Sequence, residues 1–146
     1  MAHMMVSTKG RYALRVMIDL AEHDQAKYIP LKEIANRQNI SEKYLESIVK
    51  SLTREHFIEG LRGKGGGYRL TQDASCYTVA DVLKITEGSL APISCLQDES
   101  NQCNRAVSCQ TLPMWEGLYK VVEECLSSIT IADLANTGES ADQYII

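Results

Sequence analysis

Between positions 41 and 70 the chain reads SEKYLESIVKSLTREHFIEGLRGKGGGYRL, and this stretch limits the fold more tightly than any other. Tyr44, Leu45, Ile48, Val49 and Leu52 recur at three- and four-residue spacing, which makes one buried stripe on a helix. Ser41 directly before Glu42 is a good N-cap with an acid in the first turn, so the helix is expected to start there. The other face carries Lys43, Glu46, Ser47 and Lys50. Phe57 and Ile58 then lead into Arg62-Gly63-Lys64-Gly65-Gly66-Gly67, and Tyr68-Arg69-Leu70 leaves with apolar-polar alternation. The order is helix, strand, cationic turn, strand.

Taken singly, a glycine cluster is most often a turn that needs positive φ, and a helix face with two lysines is most often simply solvated. A nucleotide-binding phosphate loop needs strand, G-x-x-x-x-G-K-[ST] and helix in that order, whereas this loop joins strand to strand. The phosphates that suit it are those of a DNA duplex.

The residues upstream supply a support for this reader. From Ser7, with Lys9, Arg11 and Arg15 interspersed, Leu14, Met17, Ile18 and Ala21 fall on one helical stripe that Ala13 and Leu20 widen. Ile29-Pro30-Leu31 reads as a short extended piece, since proline disfavours a helical residue before it. A second helix follows with Leu31, Ile34 and Ala35 inside, Asn39 as a left-handed C-terminal residue, and Ile40 restarting the core. Two short helices around a tight turn make a helix-turn-helix. The residues expected to face DNA are Ser7 and Lys9, then Ser41, Lys43, Tyr44, Glu46, Ser47 and Lys50, and on the turn Arg62 and Lys64. Glu46 stands among lysines on that face, where phosphates would repel it unless it accepts from cytosine N4. The bland account of it is a surface ion pair with Lys50 four residues on.

A net charge of −4 argues against a nucleic-acid partner only when averaged over the chain. Residues 1–70 hold 12 Lys and Arg against 8 Asp and Glu, a balance of +4, whereas residues 71–146 hold 3 against 11, a balance of −8. Only the first half is electrostatically fit to approach DNA. With 146 residues and 45% apolar content the chain can bury one core, or a small domain plus an oligomerisation element. Met1-Ala2-His3 reads as a cloning scar ahead of a start at Met4 or Met5, which leaves His23 and His56 as natural histidines. No apolar run is long enough to span a membrane and no secretory leader is apparent, so the expected address is cytoplasmic. There, five cysteines point to metal or redox chemistry rather than to structural disulfides.

Thr78 to Glu87 reads as a short helix capped by Thr78 and closed by Gly88. Ser89 to Gln110 has few large apolar residues in periodic positions and holds Cys95, Cys103 and Cys109 as C-x7-C-x5-C. Thiolates bind iron-sulfur clusters and zinc, and a flexible loop lets three of them reach one centre. Three unrelated thiols, or a redox pair with a spare, fit the spacing as well. Cys125 is expected to be a small core residue and Cys76 to be structural. From Met114 to Ile129 the periodicity returns, with Met114, Leu118, Val121 and Cys125 on one line and Trp115, Val122, Leu126 and Ile129 on the next. That stripe is wide for one helix beside a small domain, and a second copy of the chain is the natural cover.

Five segments together carry a family resemblance: STKGRYALRVMIDLA, ISEKYLESIVKSL, LRGKGGGYRL, TVADVLKITEG and SSITIADLA. They are similar to the IscR-like iron-sulfur cluster regulators of the Rrf-two family of winged helix-turn-helix repressors, over nearly the whole run from Met4 to Ala135. The resemblance implies a homodimeric transcription regulator on double-stranded promoter DNA. It implies an iron-sulfur cluster held by Cys95, Cys103 and Cys109, Lys43, Glu46 and Ser47 facing the major groove, and Arg62 entering the minor groove. The family pattern has a histidine three residues past the third cysteine, where this chain has Leu112, and some relatives use a first-helix carboxylate where it has Arg11. Asp98, Glu99, an external thiol or water stay open as the fourth ligand.

The expected fold is mainly α with a small β wing. It comprises a winged helix-turn-helix domain over residues 4–75, a cysteine loop and long dimerisation helix over 76–135, and a tail over 136–146. One rival is a cluster-free winged helix regulator controlled by thiol oxidation, metal or a protein partner of cysteine metabolism. Another is a small thiol or metal enzyme, which needs an activated nucleophile beside a base, yet His23 and His56 lie far in sequence from the cysteine loop.

Overall fold

The computed structural model describes residues 6–98 and 100–136. The expectations placed on residues 1–5, on Glu99 and on positions 137–146 of the tail lie outside the described residues. Among the described residues, six α-helices and one two-stranded antiparallel sheet follow in the order α1 (Thr8–Glu22), α2 (Leu31–Gln38), α3 (Glu42–Arg54), β1 (Ile58–Leu61), β2 (Gly67–Leu70), α4 (Val79–Glu87), α5 (Leu112–Ser127) and α6 (Ile131–Ala135).

The first helix buries a line displaced from the expected one. Ala13, Val16, Met17 and Leu20 are sealed, while Leu14, Ile18 and Ala21 stay half-buried. The reason is crowding. α1 is flanked by both α4 and α6, and Gly10 lies so close to the Glu87 carboxylate that a methyl group there would collide with it. Asp19 is buried on the same helix at 1% exposure. Its carboxylate accepts from Arg37 Nη2 at 2.8 Å, Arg37 Nε at 3.1 Å and Gln38 Nε2 at 2.9 Å. Arg15 reaches across as well, donating to the Gln38 carbonyl and side-chain oxygens. This network pins the end of α2 to α1.

Residues 39–41 turn α2 into α3. Asn39 takes the left-handed conformation at φ 54°, ψ 48°, the Ile40 amide closes back on the Ala35 carbonyl at 3.1 Å, and Ser41 caps α3 by accepting from the Tyr44 amide. Leu45, Ile48, Val49 and Leu52 are buried as expected, but Tyr44 is not. It lies 37% exposed at the rim, edge-on to Tyr12 with ring centroids 5.6 Å apart.

The sheet pairs Ile58 with Leu70 and Leu61 with Gly67, so residues 62–66 project as a wing. Ile29 adds a third short rung, exchanging backbone hydrogen bonds with Tyr68 at 2.8 Å in both directions. That rung is why position 67 must be glycine: its φ is +145°, and a methyl group would run into the Ile29 carbonyl. Gly67→Ala is expected to cost about 1–3 kcal/mol and to loosen the wing. Urea unfolding checks this, and a variant with wild-type stability would contradict it.

After the wing the chain packs α4 against α1, leaves the core along α5 and returns to it at α6. Thr78 and Thr130 each make a capping box, with Asp81 and Asp133 respectively, and they pair as an antiparallel bridge. Ile131 is fully buried in the common core. The bridge therefore fastens the far end of α5 to the winged domain, while the near end connects through the cysteine loop. No residue of α5 is buried, and Met114 and Val121 are 56% and 61% exposed. Cys125, expected in the core, is exposed on the same line, while α4 packs against part of α5. Cys76 is exposed too, in a short 3-10 turn. Among the described residues no helix is long and apolar enough to cross a membrane.

Candidate DNA interface and cysteine loop

Helix α3 and the wing form the two walls of an open cleft of about 510 Å³. Glu46, Val49, Lys50, Thr53 and Arg54 line one side, and Gly60, Leu61, Arg62, Gly67 and Tyr68 the other. Lys43, Glu46, Ser47 and Lys50 are exposed on the outer face of α3, as are Arg62 and Lys64 on the wing. Lys50 makes no ion pair with Glu46 among the described residues. Helix and wing thus present their polar side chains to the same side.

Four of the expected contact residues also have structural duties. Ser7 caps α1, accepting from the Gly10 amide at 3.0 Å while its hydroxyl donates to Glu87 Oε1 at 2.5 Å. Ser41 caps α3, the Ser47 hydroxyl donates back to the Tyr44 carbonyl at 2.9 Å, and Lys9 Nζ donates to Ser51 Oγ at 3.2 Å. Lys9 thereby ties the head of α1 to α3. Arg15 stands 5.2 Å from the Tyr12 ring centre, which extends the Tyr12–Tyr44 pair into a cationic edge. Arg54 and Thr53 were not among the expected residues; their i+7 and i+8 spacing from Glu46 on one helix face was the available signal.

The cysteine loop carries its three thiols unpaired, Cys95 and Cys109 half-exposed and Cys103 exposed. The Cys109 thiol is held below its ordinary range, first by the Thr111 hydroxyl 3.4 Å from its sulfur, then by the Thr111 and Leu112 backbone amides and the charge of Arg105. A thiol poised toward thiolate is the form that metals take up. In kind, then, these donors fit an iron-sulfur group. Among the described residues no three of His, Cys, Asp and Glu stand together closely enough to hold a metal ion. Leu112, at the head of α5, offers no donor atom in its side chain.

Residues 6–137 match the Rrf2 family, described as an iron-dependent transcriptional regulator. The HTH-type transcriptional regulator IscR of Photorhabdus laumondii is 37% identical over 139 residues, covering 95% of this chain and 84% of that one. Among solved structures, T. potens IscR superposes with a TM-score of 0.74 at 33% identity, over 97% of this chain and 93% of that chain. The B. subtilis global cysteine regulator CymR superposes at 0.73 and 36% identity, over 90% and 95%. A two-stranded wing behind a helix-turn-helix, a cationic cleft between them and a family match over nearly the whole length lead to one conclusion: this chain belongs to the Rrf2 family of DNA-binding transcriptional regulators.

Proposed function

We propose that two copies of this chain pair through α5 and read a pseudo-palindrome in promoter DNA, under the control of an iron-sulfur cluster held by Cys95, Cys103 and Cys109. The observation that carries the DNA-reading part is the shared exposure of the α3 face and the wing tip on the two walls of one cleft. In that arrangement Lys43, Glu46, Ser47 and Lys50 meet base edges and phosphates in the major groove, and Arg62 reaches the adjacent minor groove. Pairing through α5 is supported by a helix with no buried residue and by an apolar line on which Met114 and Val121 stay exposed among the described residues. Three thiols on a loop with little apolar content of its own support the cluster assignment.

A bound cluster supplies a metal centre whose occupancy changes with iron supply and oxidation. The protein's own part is mechanical. The loop joins α4, whose Glu87 holds the head of α1, to α5. Restricting the loop therefore biases how two recognition helices are spaced against the fixed repeat of the duplex.

Similarity to a global cysteine regulator, together with the absence of a converged donor set among the described residues, favours a second reading: a cluster-free regulator governed by thiol oxidation, metal or a protein partner. Anaerobic reconstitution separates the two. The cluster reading predicts a visible chromophore with matched iron and sulfide, lost in Cys95→Ala, Cys103→Ala and Cys109→Ala but kept in Cys76→Ala and Cys125→Ala. Operator affinity should shift in the same direction in all three loop variants. No iron uptake, or wild-type DNA binding by all three, would replace it with the cluster-free reading.

A further inference from the structure

We infer that the cleft between α3 and the wing seats a backbone phosphate of the DNA strand that passes between the two grooves, and that Arg54 is the residue that meets it. The inference rests on the DNA-reading function proposed above and adds a contact within it. A protein with a helix in the major groove and a hairpin in the neighbouring minor groove must straddle one sugar-phosphate strand. Whatever lines the gap between helix and hairpin meets that strand.

Here the gap carries three cations, Lys50, Arg54 and Arg62, against a single acid, Glu46. Gly60 and Gly67 put no side chains into it, which leaves width for a strand. The arginines of the winged domain divide into two groups. Arg11, Arg15, Arg37 and Arg69 are each held by a partner within the fold, namely Thr8, Gln38, Asp19 and Glu59. Arg54 and Arg62 have no hydrogen bond or ion pair among the described residues, and both line the cleft. A phosphate oxygen in the cleft would meet the guanidinium of Arg54, which no described residue satisfies. Arg54 occupies the last turn of α3, where a cation also complements the helix dipole, so a purely structural role predicts a small stability effect and nothing more.

The salt dependence of binding tells the roles apart. Affinity for a random-sequence duplex and for a selected operator is measured from low to moderate salt for wild type, Arg54→Ala, Arg54→Lys and Lys27→Ala, the last removing an exposed charge outside the cleft. Each phosphate contact contributes about 0.9 to the slope of log affinity against log salt. Arg54→Ala should lower the slope by about that amount per bound subunit, equally on both duplexes. Arg54→Lys should restore it, and Lys27→Ala should leave it unchanged. A wild-type slope in Arg54→Ala, or the same loss in Lys27→Ala, overturns this contact while leaving the DNA-reading function standing. Failure of the wild-type protein to bind either duplex overturns that function and the contact with it.

Discussion

Arg37→Ala is expected to lower folding stability by about 3–5 kcal/mol. The cost does not come from Arg37, which keeps a third of its side chain in water. It comes from Asp19. With 1% of its surface exposed, that carboxylate would keep the Gln38 amide as its hydrogen-bond donor, with His23 Nδ1 3.8 Å away, once the guanidinium is gone. An ionised group left unpaired in the interior loses hydration without compensation. The reverse exchange should cost less, because Asp19→Leu fills the site with apolar volume and frees Arg37 to turn toward solvent. The pairing also holds the Arg37 guanidinium above its ordinary pKa, chiefly through the hydrogen bonds it donates to Asp19. Denaturant midpoints of the two variants check the asymmetry, and equal losses would show that the pair contributes through packing alone.

If two copies pair through α5 as proposed, Val121→Glu is expected to abolish the dimer while leaving the winged domain folded. Val121 lies 61% exposed in a single copy, in line with Met114, and α5 puts no buried residue into the common core. The monomer's fold therefore does not depend on what covers this face, whereas a carboxylate buried twice in a symmetric seam would be left without partners. Losing the link between two reading heads should lower operator affinity by roughly 10²–10⁴-fold, the gain that simultaneous engagement of two sites provides. Light scattering gives the mass and titration gives the affinity. A variant that remains dimeric would place the interface elsewhere.

The core of the reader is legible in the sequence because its signals are local. The Leu45, Ile48, Val49 and Leu52 stripe, the Ser41 cap and the left-handed Asn39 need only neighbouring residues to be read. The buried face of α1 is not local. Which side is sealed depends on α4 and α6, which come much later in the chain, and their close approach favours Gly10 and Ala13 over the larger Leu14. Asp19 escapes for a related reason: a charged residue in a helix reads as exposed until its partner on another helix is known. In the candidate interface, Lys43, Glu46 and Lys50 follow from helical period, and Arg62 from the glycine turn. Arg54 shares that period, eight residues on from Glu46, but its place on a cleft wall is fixed by the way β1 folds back beside α3. The exposed line on α5 follows from an apolar stripe too wide for a small domain to cover.

Hydroxyl-radical footprinting on a duplex selected from random sequence tests the central claim most directly. A dimer placing one α3 in each of two major grooves predicts two protected half-sites related by a dyad. Their centres should lie roughly 10 base pairs apart, or a multiple of that, with additional minor-groove protection beside each from the wing. Protection of a single asymmetric half-site by one copy of the chain would contradict it.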